Sequence, residues 1–291
     1  KLWEVGTWTC VKTLEVSPGK SLCYSPEGAY LASVAADDGG IELWEVETGK
    51  CIKTFKGHTN WVISVAYSPD GKYVASGSKD ETIKIWEVVS GKCVKTLTEH
   101  AHYVKFVTYS PDGKYIASGA GDSYKCADKT VKIWEAATGK CLKTLEGHDD
   151  AVLSVCYGPD GKYIASGSAD YKIKIWEAVT GKCIKTLTEH SNSVYSVAYS
   201  PDGEYLASGS WDATVKIWET KTWNCIKTLT GHSENVNTIS FSPNGKYLAS
   251  AAGASYKCVD KTVKIWEVPS GRCIKTLEGH TDAIFSVSFS P

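Results

Sequence analysis

The chain has no methionine, one arginine (Arg272) and no excess of either charge: 32 basic and 33 acidic residues leave a formal net charge of -1 over 291 residues. Each shortage excludes something. Without a positive balance there is no general pull toward nucleic acid or anionic membrane. With one arginine, bidentate reading of phosphate or guanine has no tool, and the lysines are spread over the whole chain instead of gathered in a patch. No apolar run exceeds strand length, so no membrane-spanning helix is expected. There is no secretory signal, and a chain that starts at Lys1 without methionine is expected to have lost its true ends. No Cys-x-x-Cys pair or Cys/His cluster offers a zinc site, and no cofactor is expected.

What the chain does have is a period. The pentapeptide Ile83-Lys-Ile-Trp-Glu returns with small changes around Trp44, Trp134, Trp176, Trp218 and Trp266, and its tail opens the chain at Trp3. The intervals between these tryptophans are 41, 42, 48, 42, 42 and 48 residues, and a fixed period of this size marks a repeat architecture. Seven of the eleven cysteines follow the tryptophan by seven residues: Cys10, Cys51, Cys93, Cys141, Cys183, Cys225 and Cys273. They are one repeat position written seven times, too far apart in stacked repeats to be bridged. Reduced thiols of this kind favour an intracellular, cytoplasmic protein.

Residues 57–97 show the unit clearly. Gly-His opens it, followed by W-V-I-S-V-A-Y-S, a Pro-Asp-Gly turn, K-Y-V-A-S-G-S, a turn at Lys79, T-I-K-I-W-E-V, a Ser-Gly-Lys turn and C-V-K-T-L. Four short runs rich in Val, Ile, Tyr and Thr, bounded by Gly, Pro, Asp or Ser, predict four antiparallel strands joined by hairpins, here called a to d. Apolar residues on both parities imply sheets covered on both faces, which radial stacking provides.

Gly-His, S-P-D-G, A-S-G-S-x-D-x-T and I-K-I-W-E at these spacings resemble the WD-repeat β-propellers over almost the whole chain, with Trp-Glu in place of the family's Trp-Asp. The resemblance implies one all-β propeller domain over 1–291, a disc of four-stranded blades closed by a blade shared between the termini. Counting periods gives seven blades. The seventh, at the seam, takes strand a from 283–289 and strands c and d from 1–14, and lacks strand b. Residues 15–55 form the degenerate repeat, without a Gly-His.

The resemblance also carries over the family's structural tetrad: His58, Ser76, Asp80, Trp86; His100, Ser118, Asp128, Trp134; His148, Ser166, Asp170, Trp176; His190, Ser208, Asp212, Trp218; and His232, Ser250, Asp260, Trp266. Ser, His and Asp together invite a hydrolase triad, but five copies at one repeat phase point to scaffold. The degenerate repeat keeps Ser33, Asp38 and Trp44 without a histidine, and the seam keeps His280 and Trp3 without Ser or Asp. These two blades are expected to be the weakest.

Function is sought where the repeats disagree. The d–a and b–c loops share one rim, and in the family residues at such positions surround the channel and contact partners. Here they include Trp61, Ile63, Lys79, Tyr103, Lys105, Leu153, Tyr195, Trp211, Asn235, Asn237 and Phe285. Aromatic residues with lysines are the currency of interface hot spots. Two six-residue insertions on that rim add Tyr124, Lys125, Tyr256 and Lys257 as possible loop contacts, although duplication of a three-blade cassette also explains them. Trp8 and Trp223, at c–d turns, offer a second contact on the opposite rim. The leading expectation is a non-catalytic scaffold binding a protein or peptide at the upper rim, within a larger chain or complex, with no nucleic-acid, membrane or metal partner. Two alternatives stay open: the sensor or regulatory part of a larger signalling ATPase or kinase, and an enzymatic or sugar-binding propeller, disfavoured because no spare catalytic group remains.

Overall fold

β-Branched and aromatic side chains favour a pleated backbone, and the turns between the runs supply the residues that hairpins need. The computed structural model of the chain describes residues 1–14, 19–35, 39–122, 127–254 and 258–291. In blade 2, strands a to d are Val62–Tyr67, Tyr73–Ser78, Ile83–Glu87 and Cys93–Leu97, hydrogen-bonded in chain order as an antiparallel meander. Six such sheets follow one another: blade 1 over 22–55, blade 2 over 62–97, blade 3 over 104–145, blade 4 over 152–187, blade 5 over 194–229 and blade 6 over 236–277. Among the described residues there is no helix, hence none long and apolar enough to cross a membrane.

The expectation of seven blades is corrected to six. At the seam stands only a two-stranded ribbon, Leu2–Trp3 with Cys10–Lys12, and 283–289 forms no strand. The cause is the absent strand b. In every complete blade strand a has b as its ladder partner, so without b the segment has no sheet to join, and c and d keep only each other.

Residues 283–289 nevertheless close the ring. The N–H groups of Val65, Val107, Val197 and Ile239 donate to serine hydroxyls of the preceding blade, Ser21, Ser64, Ser154 and Ser196, at 3.1–3.3 Å. The seam uses the same contact: Val287 N–H donates to Thr238 Oγ1 at 3.4 Å, and Ser286 Oγ accepts from Leu22 N–H at 3.2 Å. Blade 3 has Phe106 at this position, which offers no acceptor.

The cores lie between blades. One apolar cluster fills each contact between successive blades, as where Phe55, Val65 and Trp86 meet. A sixth joins blade 6 to Ile284 of the seam, with Trp3, Val287 and Phe289 at its margin. Among the described residues no such cluster joins the seam to blade 1. Blade contact also dictates the glycine of A-S-G-S: a Cβ on Gly77 would come within 2.7 Å of Val104 Cγ1 and 3.1 Å of its carbonyl oxygen in the next blade.

Trp8 and Trp223 stand where other c–d turns have glycine, and both take the left-handed conformation, with φ of 56° and 60°. Such φ costs a bulky residue roughly 1 kcal/mol, offset here by packing. Trp8 meets Tyr247 edge-on at 5.7 Å, and Trp223 covers the cluster between blades 4 and 5. The ten described cysteines are free thiols.

The seam is held by side-chain hydrogen bonds and one apolar face, whereas inner strands of blades 2 to 6 have full ladders. In hydrogen exchange, amides of 283–289 should exchange at least about tenfold faster than those of Val152–Tyr157 or Val194–Tyr199. Equal protection would contradict this account of the seam.

Candidate functional site

Each of the five His, Ser, Asp and Trp sets forms a continuous hydrogen-bond chain. The indole N–H donates to the serine oxygen at 2.7–2.9 Å. The serine oxygen lies 2.7–2.8 Å from histidine Nε2, and Nδ1 lies 2.7–2.9 Å from the aspartate. A carboxylate facing Nδ1 assigns the proton to that nitrogen, so Nε2 accepts from the serine hydroxyl. The carboxylate also caps the loop, as where Asp80 accepts from the Thr59 N–H at 3.0 Å and the Thr82 hydroxyl at 2.7 Å.

The five serines are 0% exposed, so no substrate reaches their oxygens, and the chain of bonds is architectural. In blade 1, Trp44 donates to Ser33 at 3.1 Å, while Asp38 lies outside the described residues. His280 and Trp3 make no tetrad bond. Among the described residues no three His, Cys, Asp or Glu side chains cluster as a metal site.

The variable residues fall on a different device. In blades 2 to 6 strand a carries a bulge one residue in from its start: Val62 pairs with Ser78 and Ser64 with Gly77, leaving Ile63 as the extra residue. Lys105, Leu153, Tyr195 and Asn237 are its counterparts. A bulge breaks the alternation of faces and re-aims one side chain; all five line a central channel of about 570 Å³, with Phe285 from the seam. Lys20 of blade 1 stands at the same place, four residues before Tyr24 as Ile63 is four before Tyr67. Sequence reasoning missed it because the degenerate repeat lacks the Gly-His from which the others are counted.

A second backbone contact sets the rim outside the channel. The N–H of Lys79 donates to the Trp61 carbonyl at 2.8 Å, and the same bond joins Trp211 to Ser193 and Ala169 to Ala151. In the long-loop blades the partners are Gly121 with Tyr103 and Gly253 with Asn235. Ala127 and Val259, adjacent to the tetrad aspartate in sequence, are therefore not equivalent to Lys79, and Val259 is 78% exposed. Tyr124, Lys125, Tyr256 and Lys257 lie outside the described residues.

These contacts gather Trp61, Lys79, Tyr103 and Lys105. Lys79 Nζ sits 4.2 Å from the Trp61 ring centre and 5.7 Å from that of Tyr103, and Lys105 Nζ is 5.6 Å from the latter. Trp61 is 52% exposed. In blade 5 Tyr195 and Trp211 stack at 4.9 Å and 12°. Leu153 and Asn237 are buried, and Asn237 serves as a staple, its amide donating to the carbonyls of Gly253 at 2.8 Å and Ile284 at 3.1 Å. Asn235 contributes its carbonyl to the Gly253 N–H.

Residues 1–256 match the family described as WDR3 second beta-propeller domain, and residues 271–291 match the WD domain, G-beta repeat. The chain belongs to the WD-repeat β-propeller family. Among curated relatives, this WD-repeat chain is 45% identical over 56 residues to Nuclear distribution protein PAC1 of Coccidioides posadasii, covering 19% of this chain and 12% of that protein. It is 34% identical over 88 residues to Target of rapamycin complex subunit wat1 of Schizosaccharomyces pombe, covering 29% and 27%. Protein ROOT INITIATION DEFECTIVE 3 of Arabidopsis thaliana is 40% identical over 74 residues, covering 25% and 17%. The matched stretches thus span far less than two thirds of each relative.

The WD-repeat tetrads make stability depend on pH. Burial opposes ionisation of Asp170, but hydrogen bonds from His148 and from the Asp149 and Lys172 N–H groups outweigh it and hold the carboxyl at about 2. Asp80, Asp128, Asp212 and Asp260 are held below the usual carboxylate range, burial again opposing and their histidine and threonine partners prevailing. Burial pulls both His232 and His280 below the ordinary imidazole value, His280 to about 4.

A folded pKa below the unfolded one gives stability that is complete above the unfolded value and lost as pH falls through the folded one. The melting temperature should decline slightly from about pH 6.5 to 4, through the histidines, and steeply from about pH 4 to 2, through the aspartates. A flat profile down to pH 2 would contradict this. In denaturant titrations His148→Ala, which takes the imidazole partner from both Asp170 and Ser166 and leaves a cavity, should cost about 3 kcal/mol, and Trp176→Phe, which removes one neutral donor, about 1 kcal/mol.

Proposed function

We propose that residues 1–291 act as one propeller unit and serve as a non-catalytic scaffold that binds a protein or peptide across the upper rim. One observation carries this reading: Trp61, Tyr103, Lys79 and Lys105 are gathered by backbone geometry at the mouth of the channel, yet no blade core uses their rings. A large aromatic side chain left half in solvent loses the free energy its burial would contribute. Placed beside lysines at a channel mouth, it has the composition of an interface anchor. The buried tetrad serines support a role without catalysis. The relative named as a subunit of the target of rapamycin complex supports assembly with other proteins.

A random peptide library displayed on phage provides the test. Peptides enriched on this chain should lose at least about tenfold in affinity on Trp61→Ala or Tyr103→Ala, a typical hot-spot loss. The melting temperature should stay within about 2 °C, as expected of a surface substitution. Enriched peptides indifferent to both substitutions would place binding elsewhere, and a large fall in melting temperature would make these rings structural.

A further inference from the structure

The mouth of the channel is divided chemically. On blades 1 to 3 it carries Lys20, Lys79 and Lys105, with Lys20 Nζ lying 5.8 Å from the Phe285 ring centre. One carboxylate, Asp122, stands 3.5 Å from Lys105. Among the described residues neither Lys20 nor Lys79 forms an ion pair. Burial, and then the fields of Lys105 and Lys79, hold the Lys20 pKa below its ordinary value, with Asp122 opposing. The three ammonium groups therefore repel one another, and an anion placed among them relieves that repulsion.

Across the channel, Leu153, Tyr195, Trp211 and Asn237 carry no charge. Among the described residues the Trp211 Nε1 donor, buried there, finds no partner. Rim carboxylates on blades 4 and 6 are already engaged, Asp149 by Lys172 and Glu234 by the N–H groups of Val259 and Asp260. Among the described residues that line the channel, positive charge is thus confined to one sector of the mouth.

Resting on the binding reading above, we propose that the occupant is an acidic peptide segment, its Asp or Glu carboxylates over Lys20 and Lys79 and an apolar or aromatic side chain of its own on the Leu153 and Tyr195 wall. Carboxylates fit better than a phosphate. The sector contains no arginine to offer a planar fork, and its charges are single ammonium groups carried by three successive blades, a spacing that matches several separate carboxylates more closely than one compact dianion. The channel, about 570 Å³, has room for a side chain and not for a folded element.

The test uses paired peptides of about twelve residues in a Gly/Ser background, each with one Phe and two Glu, together with matched versions carrying Gln or phosphoserine in place of Glu. The Glu peptides should bind about tenfold more tightly than the Gln peptides, with an advantage that shrinks as salt is raised. Lys20→Gln combined with Lys79→Gln should abolish that advantage, so that the Glu and Gln series bind the double variant alike. If Glu and Gln peptides bind alike, or the double variant keeps the preference, the acidic inference falls and the rim reading stands. Tighter binding of phosphoserine peptides by about tenfold overturns the choice of carboxylate. Binding by none of the three series overturns both readings.

Discussion

One buried serine hydroxyl per regular blade carries the hydrogen bonds on which the repeat depends. Ser76 accepts the Trp86 indole proton and gives its own to His58, whose other nitrogen is held by Asp80. The chain runs from strand c through strand b to the d–a loop and ends on the b–c turn. Four segments that need not otherwise agree are thereby set in one register. Polar groups in such a low-dielectric site are costly when unpaired and strong when all are satisfied, so the motif tolerates little partial occupation. In blade 1, which has no histidine at this position, strand a is only three residues long.

Closure follows a different rule. Four of the five blade-to-blade contacts pair one hydroxyl with the N–H of the next blade at the inner strands, and the seam uses the same pairing without a complete sheet. Residues 283–289 are fixed from both sides by Thr238, Ser240 and the Leu22 N–H. Among the described residues, the apolar cluster that accompanies every other contact is present on only one side of the seam. Ring closure and blade completeness are thus separable, which is why six sheets can enclose a channel walled by seven segments.

With register and closure assigned to buried groups, the bulge positions and the residues bonded to the strand-a entry become free to differ. Their direction is imposed by backbone geometry: the bulge turns Ile63, Lys105, Leu153, Tyr195 and Asn237 into the channel whatever their side chains. Chemistry at the mouth then depends on which residue occupies each place. Three lysines fall on one sector and neutral or aromatic groups on the other.

Much of this was legible in the chain itself. The 42-residue period and the four runs per period specify the repeats and their strand order, because each is a local pattern repeated until chance is excluded, and the resemblance to the WD-repeat family implied the blades and the buried hydrogen-bond chain. The count of blades was not legible, since a sheet requires partners, and period arithmetic does not tell that strand a cannot ladder when strand b is missing. Nor were Lys20 as a channel residue, the displacement of Ala127 and Val259 from the rim pairing, or Asn237 as a staple to Ile284. Sequence determined which positions are framework and which vary. Only the tertiary structure decided which of the varying side chains meet, because a one-residue bulge and contacts between blades some forty residues apart set direction and distance in ways no local periodicity records.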